Sequence, residues 1–229
     1  KVSRFDPHSA AIDQRVFHDG WFVSTMPDLN QRQPKLARYL IQNSIWWIEY
    51  ADLYGIRMDT WSYPDKEFLA DWTKGILEEY PNFNIVGEEW VSDPSLISYW
   101  QSNAIRGDGY KSYLPSIMDF PLQSAITDGL KGETAWKSSM AKIYESLAND
   151  YMYGELNNIM IFPDNHDMSR IYTQLDEDFD LWKMAMSIYF TMRGTLQIFY
   201  GTEILMSNGE SSDHGIIRSD FPGGWSGDN

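Results

Sequence analysis

Apolar and polar residues alternate along the chain with two different periods. From residue 34 to residue 53, apolar side chains recur every three or four positions, which predicts an amphipathic helix. Pro34 lies near the start of this helix and Gly55 lies just after its end, as each residue type favours. A second helix is predicted over residues 65–80, with Asp65 as its N-cap and a proline directly after it to prevent further turns.

Five short apolar runs are predicted as strands, at residues 55–61, 84–90, 116–122, 158–162 and 195–204. Further helices are predicted beside them, at residues 94–103, 134–149 and 178–193. Strict alternation of strands with helices is typical of a parallel sheet with right-handed crossovers. The pattern therefore predicts the α/β class.

The length and the two ends of the chain add to this picture. The 229 residues can bury the core of one domain or most of one, whereas a closed (β/α)8 barrel typically needs about 250 residues or more. The first 29 residues lack a strong period, and Gly, Ser and Asp dominate from residue 207 onward. Both ends are interpreted as excursions from the core.

Composition narrows the classes of partner. Lys and Arg total 18 against 33 Asp and Glu, a net charge of −15, which argues against nucleic acid and anionic membrane surfaces. The absence of cysteine excludes disulfides and thiolate metal sites. No segment approaches the roughly 20 apolar residues of a membrane-spanning helix. The compartment stays open, with a periplasmic or extracellular location slightly favoured over the cytoplasm.

Three of the predicted strands end in acidic residues. Asp59 follows the first apolar run, Glu88 and Glu89 end the second, and His166 with Asp167 lies just after the fourth. The carboxyl ends of parallel barrel strands form an active-site face, and covalent hydrolysis of a glycosidic bond needs a nucleophile, a proton donor and electrostatic support. Imidazole donates and carboxylate accepts hydrogen bonds, which suits the His-Asp pair to sugar hydroxyls, although a capped turn is the alternative.

Neighbouring residues suggest how the first two tips work. Arg57 lies two residues from Asp59 on the same strand face, where we expect it to pair with a buried carboxylate and keep it anionic. A purely structural ion pair is the alternative. Glu88 and Glu89 point to opposite sides if the strand persists, so only one can face Asp59, and Trp90 could supply apolar cover. Two glutamates on a solvated turn are the alternative there.

Together these segments resemble the α-amylase family of retaining glycoside hydrolases. Residues 26–30 resemble the segment that leads from the family's inserted small domain back into its (β/α)8 barrel. Four further segments resemble barrel strands four, five, seven and eight, at residues 55–61, 85–88, 162–167 and 198–203. The segment that holds Arg218 and Trp225 resembles the loop after strand eight. The resemblance implies a partial TIM barrel in which about five parallel strands, family strands four to eight, alternate with helices.

The resemblance also implies roles for individual residues. Asp59 is implied as the nucleophile, Glu88 in preference to Glu89 as the general acid/base, and Asp167 as the acid that stabilises the transition state. The implied substrate-binding residues are Arg57, His166, Trp61 and Trp90. No cofactor or metal is expected in this chain, apart from a structural calcium that the family allows elsewhere in a parent enzyme.

The substrate follows from a narrower likeness. Residues 40–50 resemble the cyclomaltodextrinase and neopullulanase branch of the family, which implies α-1,4-glucans such as maltodextrin, cyclodextrin, starch or pullulan. The same machinery serves transglycosylases and isomerases, so these stay alternatives. A non-catalytic amylase-fold subunit is a further alternative, although such proteins usually lose one or more of the three acids.

Two features depart from the family pattern. Pro163 stands where the family more often has an aliphatic residue. Nothing matches the first three strands, the last barrel helix or the C-terminal β-domain, so we expect a piece of a longer enzyme. In that enzyme residues 1–30 would end the inserted domain, residues 31–206 would form part of the barrel, and residues 207–229 would form the following loop. Unpaired strand edges are expected to favour self-association of the isolated chain and weak activity.

Overall fold

The computed structural model describes residues 6–132 and 139–227, which belong to two compact units. The first unit comprises residues 1–118 and 149–159, and the second unit comprises residues 119–148 and 160–229. Within the described ranges, each unit has its own small parallel sheet.

The first unit contains four α-helices and three strands in its described part. The helices are α1 (Ala11–Asp19), α2 (Pro34–Ala51), α3 (Lys66–Glu79) and α4 (Pro94–Ser98). The strands β1 (Gly55–Met58), β2 (Asn84–Gly87) and β3 (Ser116–Ile117) pair in parallel in the order β1-β2-β3. Short 3-10 turns lie at Asp150–Met152 and Leu156–Asn158. Met58 is in register with Gly87, so the chain leaves β1 and β2 at the same level of the sheet.

The second unit contains the remaining elements. Its helices are α5 (Phe120–Lys131), α6 (Met140–Leu147), α7 (Ile171–Gln174), α8 (Phe179–Thr191) and α9 (His214–Ile217). Its strands β4 (Met160–Ile161) and β5 (Thr195–Leu196) are parallel, and a 3-10 turn follows at Thr202–Ile204. The core of this unit is apolar and includes Leu122, Ile126, Ile161, Leu175 and Ala185.

The predicted alternation of parallel strands with helices is confirmed. Helix α2 begins at Pro34, as predicted, and α3 is capped by Asp65, whose carboxylate accepts a hydrogen bond from the Phe68 N–H at 3.1 Å. Among the described residues, no helix combines the length and the apolar character that crossing a membrane would require.

The first two strands are shorter than predicted, and each stops where the chain turns toward the candidate site. The strand predicted over residues 55–61 ends at Met58, because Thr60 adopts a left-handed backbone with φ of 47°. The strand predicted over residues 84–90 ends at Gly87.

The later strands are shortened by local capping. Residues 116–122 form only the two-residue β3, because Asp119 accepts a hydrogen bond from the Leu122 N–H at 3.0 Å and starts α5. Of residues 195–204 only Thr195–Leu196 form a strand, β5, and Gly201, with φ of 85°, precedes a 3-10 segment.

Some helices differ from the predictions. The helix predicted over residues 94–103 ends at Ser98. Helix α1 was not predicted, because its one buried residue is Phe17 while Ile12 is 68 % exposed, which leaves no apolar stripe to detect. The helix predicted over residues 134–149 is observed as α6, and its first part, residues 134–138, lies outside the described residues.

Side chains pack closely against Gly87, the last residue of β2, directly before Glu88. A Cβ atom on Gly87 would lie 2.8 Å from Leu114 Cδ2 and 2.9 Å from the Trp61 ring, so a larger residue would require the core to move. The Trp61 ring in turn lies 6.2 Å from the ring of Trp72, centroid to centroid. The glycine therefore allows the strand to lie directly against a rigid aromatic core.

Candidate active site

Arg57 lies near the carboxyl end of β1, and Asp59 follows the last residue of that strand. Arg57 Nη1 donates to Asp59 Oδ1 at 2.6 Å, which confirms the predicted ion pair. The Asp59 side chain is nevertheless 60 % exposed, so the expectation that this pair holds a buried carboxylate is wrong. The reason is that β1 ends at Met58 and Asp59 lies beyond the carboxyl end of the strand.

Glu88, directly after β2, is a buried carboxylate with 6 % of its side chain exposed. Its Oε2 accepts a hydrogen bond from the Thr60 N–H at 2.8 Å, and its Oε1 lies 3.3 Å from Arg57 Nη2. Arg57 therefore contacts both Asp59 and Glu88, and the structure brings together these three predicted site residues. The predicted separation of about 5–5.5 Å between the two carboxyl groups stays a prediction.

Backbone geometry at Thr60 aims this hydrogen bond. A non-glycine residue with positive φ costs of the order of 1–3 kcal/mol and persists only where surrounding contacts enforce it. Here the Trp61 N–H donates to the Glu88 carbonyl oxygen at 2.7 Å, and the Glu88 N–H donates to the Met58 carbonyl at 2.9 Å. The two chain segments are thus tied together on both sides of Thr60, and its N–H is directed at the Glu88 side chain.

The aromatic residues predicted to bind substrate differ in placement. Trp90 is 45 % exposed. Trp61 is only 1 % exposed and packs edge-to-face against Trp100, with ring centroids 6.5 Å apart. The prediction of Trp61 as a substrate-binding residue is therefore corrected, because its ring belongs to the core. Glu89 is also buried, at 4 % exposure, and its predicted orientation away from Asp59 stays a prediction.

The second unit presents the predicted His166–Asp167 pair after β4. His166 Nε2 lies 3.0 Å from Asp167 Oδ2, and the Asp167 N–H donates to Asn165 Oδ1 at 2.8 Å. About a quarter of the Asp167 side chain is exposed. The two residues are therefore adjacent in space and accessible, as contact with sugar hydroxyls requires. That Asp167 acts with Asp59 and Glu88 stays a prediction.

Two residues that were not predicted as site residues join this pair. Arg218 Nη2 donates to Asp167 Oδ1 at 2.5 Å, and Arg218 Nε donates to the His166 carbonyl at 2.8 Å. His214 Nδ1 lies 2.7 Å from Arg218 Nη2 and 3.6 Å from Asp167 Oδ1. The sequence signal was the resemblance of this segment to the loop after the last strand, which places it near the strand tips but does not select a partner.

A buried carboxylate, Asp164, stabilises the loop that follows β4. It is fully buried, and its oxygens accept hydrogen bonds from the Ile171 N–H at 2.7 Å and from Thr202 Oγ1 at 3.1 Å. Burial raises the pKa of Asp164 to about 6, although these two hydrogen bonds and the positive charge of Arg170 oppose the shift. Sequence reasoning missed this residue, because nothing in the local pattern separates it from the two polar residues that follow.

The raised pKa of Asp164 predicts a pH-dependent stability. Its folded pKa of about 6 exceeds the usual value of about 3.9, so the folded state binds the proton more tightly. The resulting stabilisation is full below about pH 4 and is lost as pH rises through about 6, a change of about 3 kcal/mol in the free energy of unfolding. Asp164→Asn should remove this dependence, measured as the difference in unfolding free energy between wild type and variant from pH 4 to pH 7.

Asp176→Asn is the matched control, since the Asp176 side chain is 70 % exposed. For that variant the difference from wild type should stay flat over the same pH range. A flat difference for Asp164→Asn as well would show that burial of Asp164 is not coupled to protonation.

The described part of the chain was searched for a group of side chains that could bind a metal ion. Within residues 6–132 and 139–227, no group of three or more His, Cys, Asp or Glu side chains is arranged to hold a metal ion.

Comparison with known proteins identifies the family. Residues 5–222 match the family described as "Alpha amylase, catalytic domain". An intracellular maltogenic amylase of Bacillus subtilis (strain 168) is 28 % identical over 210 residues, which cover 90 % of this chain and 33 % of that protein. A cyclomaltodextrinase of Bacillus sp is 26 % identical, with 82 % of this chain and 32 % of that protein covered. The chain thus spans about a third of the length of these relatives.

Solved structures give the same fold. The crystal structure of an alpha-amylase from Geobacillus thermoleovorans, complexed with acarbose, superposes with a TM-score of 0.76 and 29 % identity. The match covers 93 % of this chain and 46 % of that one. An Anoxybacillus alpha-amylase superposes with a TM-score of 0.73 at 23 % identity, which supports the fold alone.

Proposed function

The chain belongs to the α-amylase catalytic-domain family, and on that premise we propose that it supplies catalytic residues of a retaining glycoside hydrolase acting on α-1,4-glucans. The relatives named as maltogenic amylase and cyclomaltodextrinase support maltodextrin and cyclodextrin as substrates, with starch and pullulan as larger candidates.

One observation carries the proposal: a single guanidinium contacts two carboxylates at the tips of adjacent parallel strands. Arg57 lies 2.6 Å from Asp59 and 3.3 Å from Glu88. The first carboxylate is exposed and paired with the arginine, while the second is buried and hydrogen-bonded to the backbone. Two carboxyl groups in contrasting environments suit the nucleophile and the acid/base of a retaining enzyme.

The proposed reaction has two steps. In the first, Asp59 attacks the anomeric carbon while Glu88 transfers its proton to the glycosidic oxygen, so the leaving sugar departs as an alcohol. In the second, Glu88 takes a proton from water, and the water oxygen replaces Asp59 at the anomeric carbon. The positive charge of Arg57 lies beside both acids.

His166 and Asp167 are the proposed sugar-binding groups. His166 donates to a substrate hydroxyl and Asp167 accepts from one, and such hydrogen bonds strengthen as the oxocarbenium-like transition state forms. Trp90, a residue that is 45 % exposed, is proposed to stack on a sugar face.

A product analysis tests the proposal. The polypeptide that carries this chain is incubated with maltodextrin, cyclodextrin, starch and pullulan, and the first product is followed by proton NMR at its anomeric centre. Net retention predicts that the α-anomer appears first and then mutarotates. Initial release of the β-anomer would contradict the two-step mechanism, and products longer than the substrate would indicate transfer to a second sugar.

A further inference from the structure

The loop that follows β5 reaches back to the tip of β4 through one side chain, Arg218. Its Nη2 donates to the Asp167 carboxylate at 2.5 Å, and its Nε donates to the His166 backbone carbonyl at 2.8 Å. One donor of the planar guanidinium therefore fixes a side chain while another fixes the backbone beside it. A lysine cannot reproduce this geometry, because its ammonium is a single point of charge.

The Asp167 carboxylate is held from both sides. Oδ1 accepts from Arg218 while Oδ2 faces His166 Nε2 at 3.0 Å, and the Asp167 N–H donates to Asn165 Oδ1. With both oxygens engaged and the backbone anchored, rotation about the Asp167 side-chain bonds would break at least one contact. The carboxylate is thus pre-oriented before any ligand arrives.

Arg218 is itself held in place by a buried arginine. Arg170 is 1 % exposed, and its Nε donates at 3.0 Å to the carbonyl of Ile217, the residue directly before Arg218. The Arg170 guanidinium also donates to the Tyr200 carbonyl and lies 4.0 Å from the centre of the Phe199 ring. These contacts fix the backbone from which the Arg218 side chain extends.

His214 restricts the remaining freedom of Arg218. Its Nδ1 accepts from Arg218 Nη2 at 2.7 Å. His214 opens the short helix α9, and the preceding Asp213 caps that helix by accepting from the Gly215 N–H at 2.7 Å. Arg218 Nη2 therefore contacts both the His214 imidazole and the Asp167 carboxylate.

We propose that Arg218 is the positioning residue of Asp167 and His166, fixing the carboxylate and the histidine backbone in the orientation that sugar binding and transition-state stabilisation need. The inference rests on the proposed function. The Arg218 and Asp167 side chains are 44 % and 24 % exposed, and ion pairs this accessible add little to stability. The contact therefore acts on orientation and not on folding.

The first test is kinetic, in the polypeptide that carries this chain. Arg218→Ala should lower kcat on maltodextrin on the order of 10²-fold, as a displacement of about 1 Å can, with a much smaller change in KM. Arg218→Lys should recover only part of the loss. Added guanidinium, at concentrations far below those that unfold proteins, should restore activity to Arg218→Ala but not to Asp167→Asn.

Lys183→Ala is the matched control, because it removes an exposed ion pair with Asp180 elsewhere in the second unit. Its kcat and KM should equal those of wild type. If Arg218→Ala keeps the wild-type kcat, or loses activity together with its melting temperature and without guanidinium rescue, the positioning role is overturned.

The second test does not depend on activity. In a crystal structure of Arg218→Ala, Asp167 should occupy more than one rotamer, or move away from the single orientation held in the wild type. An unchanged Asp167 side chain would overturn the inference even if the enzyme hydrolyses glucan. A wild-type polypeptide without glucan hydrolysis would instead contradict the proposed function, while this structural comparison would still decide the role of Arg218.

Discussion

Asp59→Asn is expected to lower kcat on maltodextrin by roughly 10⁴- to 10⁶-fold, the range seen when a key member of a catalytic set is changed. An amide oxygen is too weak a nucleophile to form the glycosyl ester, so the first step is blocked. The fold should survive, because the Asp59 side chain is 60 % exposed and Arg57 still faces Glu88 when Asp59 is neutral. Steady-state kinetics and thermal melting measure the two effects separately.

Asp71→Asn is the control for this variant. Asp71 is an exposed residue of α3 in the same unit, so the chemical change is identical but lies on the outer surface of a helix. It should leave kcat unchanged. Activity of Asp59→Asn within about tenfold of wild type, after spontaneous deamidation has been excluded by mass spectrometry, would show that Asp59 is not the nucleophile.

Glu88→Gln is expected to discriminate between leaving groups. On maltodextrin, whose leaving sugar needs a proton, kcat/KM should fall by roughly 10²- to 10⁴-fold, the usual contribution of a general acid. On an aryl α-maltoside with a strongly acidic phenol the loss in the first step should be small, because the phenolate departs without protonation. The amide can still accept the hydrogen bond from the Thr60 N–H, which keeps the local structure intact.

Glu89→Gln is the neighbouring control, since both glutamates are buried and differ by one position on the chain. It should affect the two kinds of substrate equally. Equal losses on both substrates for Glu88→Gln, with selective loss for Glu89→Gln, would transfer the acid/base role to Glu89.

Local sequence signals predicted the parts of the fold that depend on local chemistry. Asp65 caps α3 and Pro34 begins α2, because capping and proline geometry act within one helical turn. The Arg57–Asp59 pair was also predictable, since residues two apart on a strand share a face.

Features that depend on distant parts of the chain were not predictable. Strand β1 stops early because Thr60 is held in a left-handed conformation by hydrogen bonds to the segment around Glu88, 28 residues away. The same turn buries Trp61 in the core, although the family resemblance implied a substrate-binding residue there. The local sequence pattern therefore predicts neither the early end of β1 nor the burial of Trp61.

In the second unit, too, contacts between residues distant in sequence were not predictable. His166 and Asp167 were predicted from a short motif, whereas Arg218 reaches them from 51 residues along the chain. Asp164 and Arg170 were missed because buried polar residues look like ordinary loop residues until their partners are known. The roles of these residues depend on tertiary contacts, so they can be identified only from the three-dimensional structure.

Covalent trapping can identify the residue that acts as the nucleophile, which we propose to be Asp59. The polypeptide that carries this chain is incubated with a 5-fluoro glycosyl fluoride of maltose, which forms the glycosyl-enzyme quickly and releases it slowly. Intact mass spectrometry should show one added glycosyl group, and peptide mapping should place it on Asp59. Hydrolysis of glucan with no adduct, or with an adduct on another residue, would contradict the proposed role of Asp59 as the nucleophile.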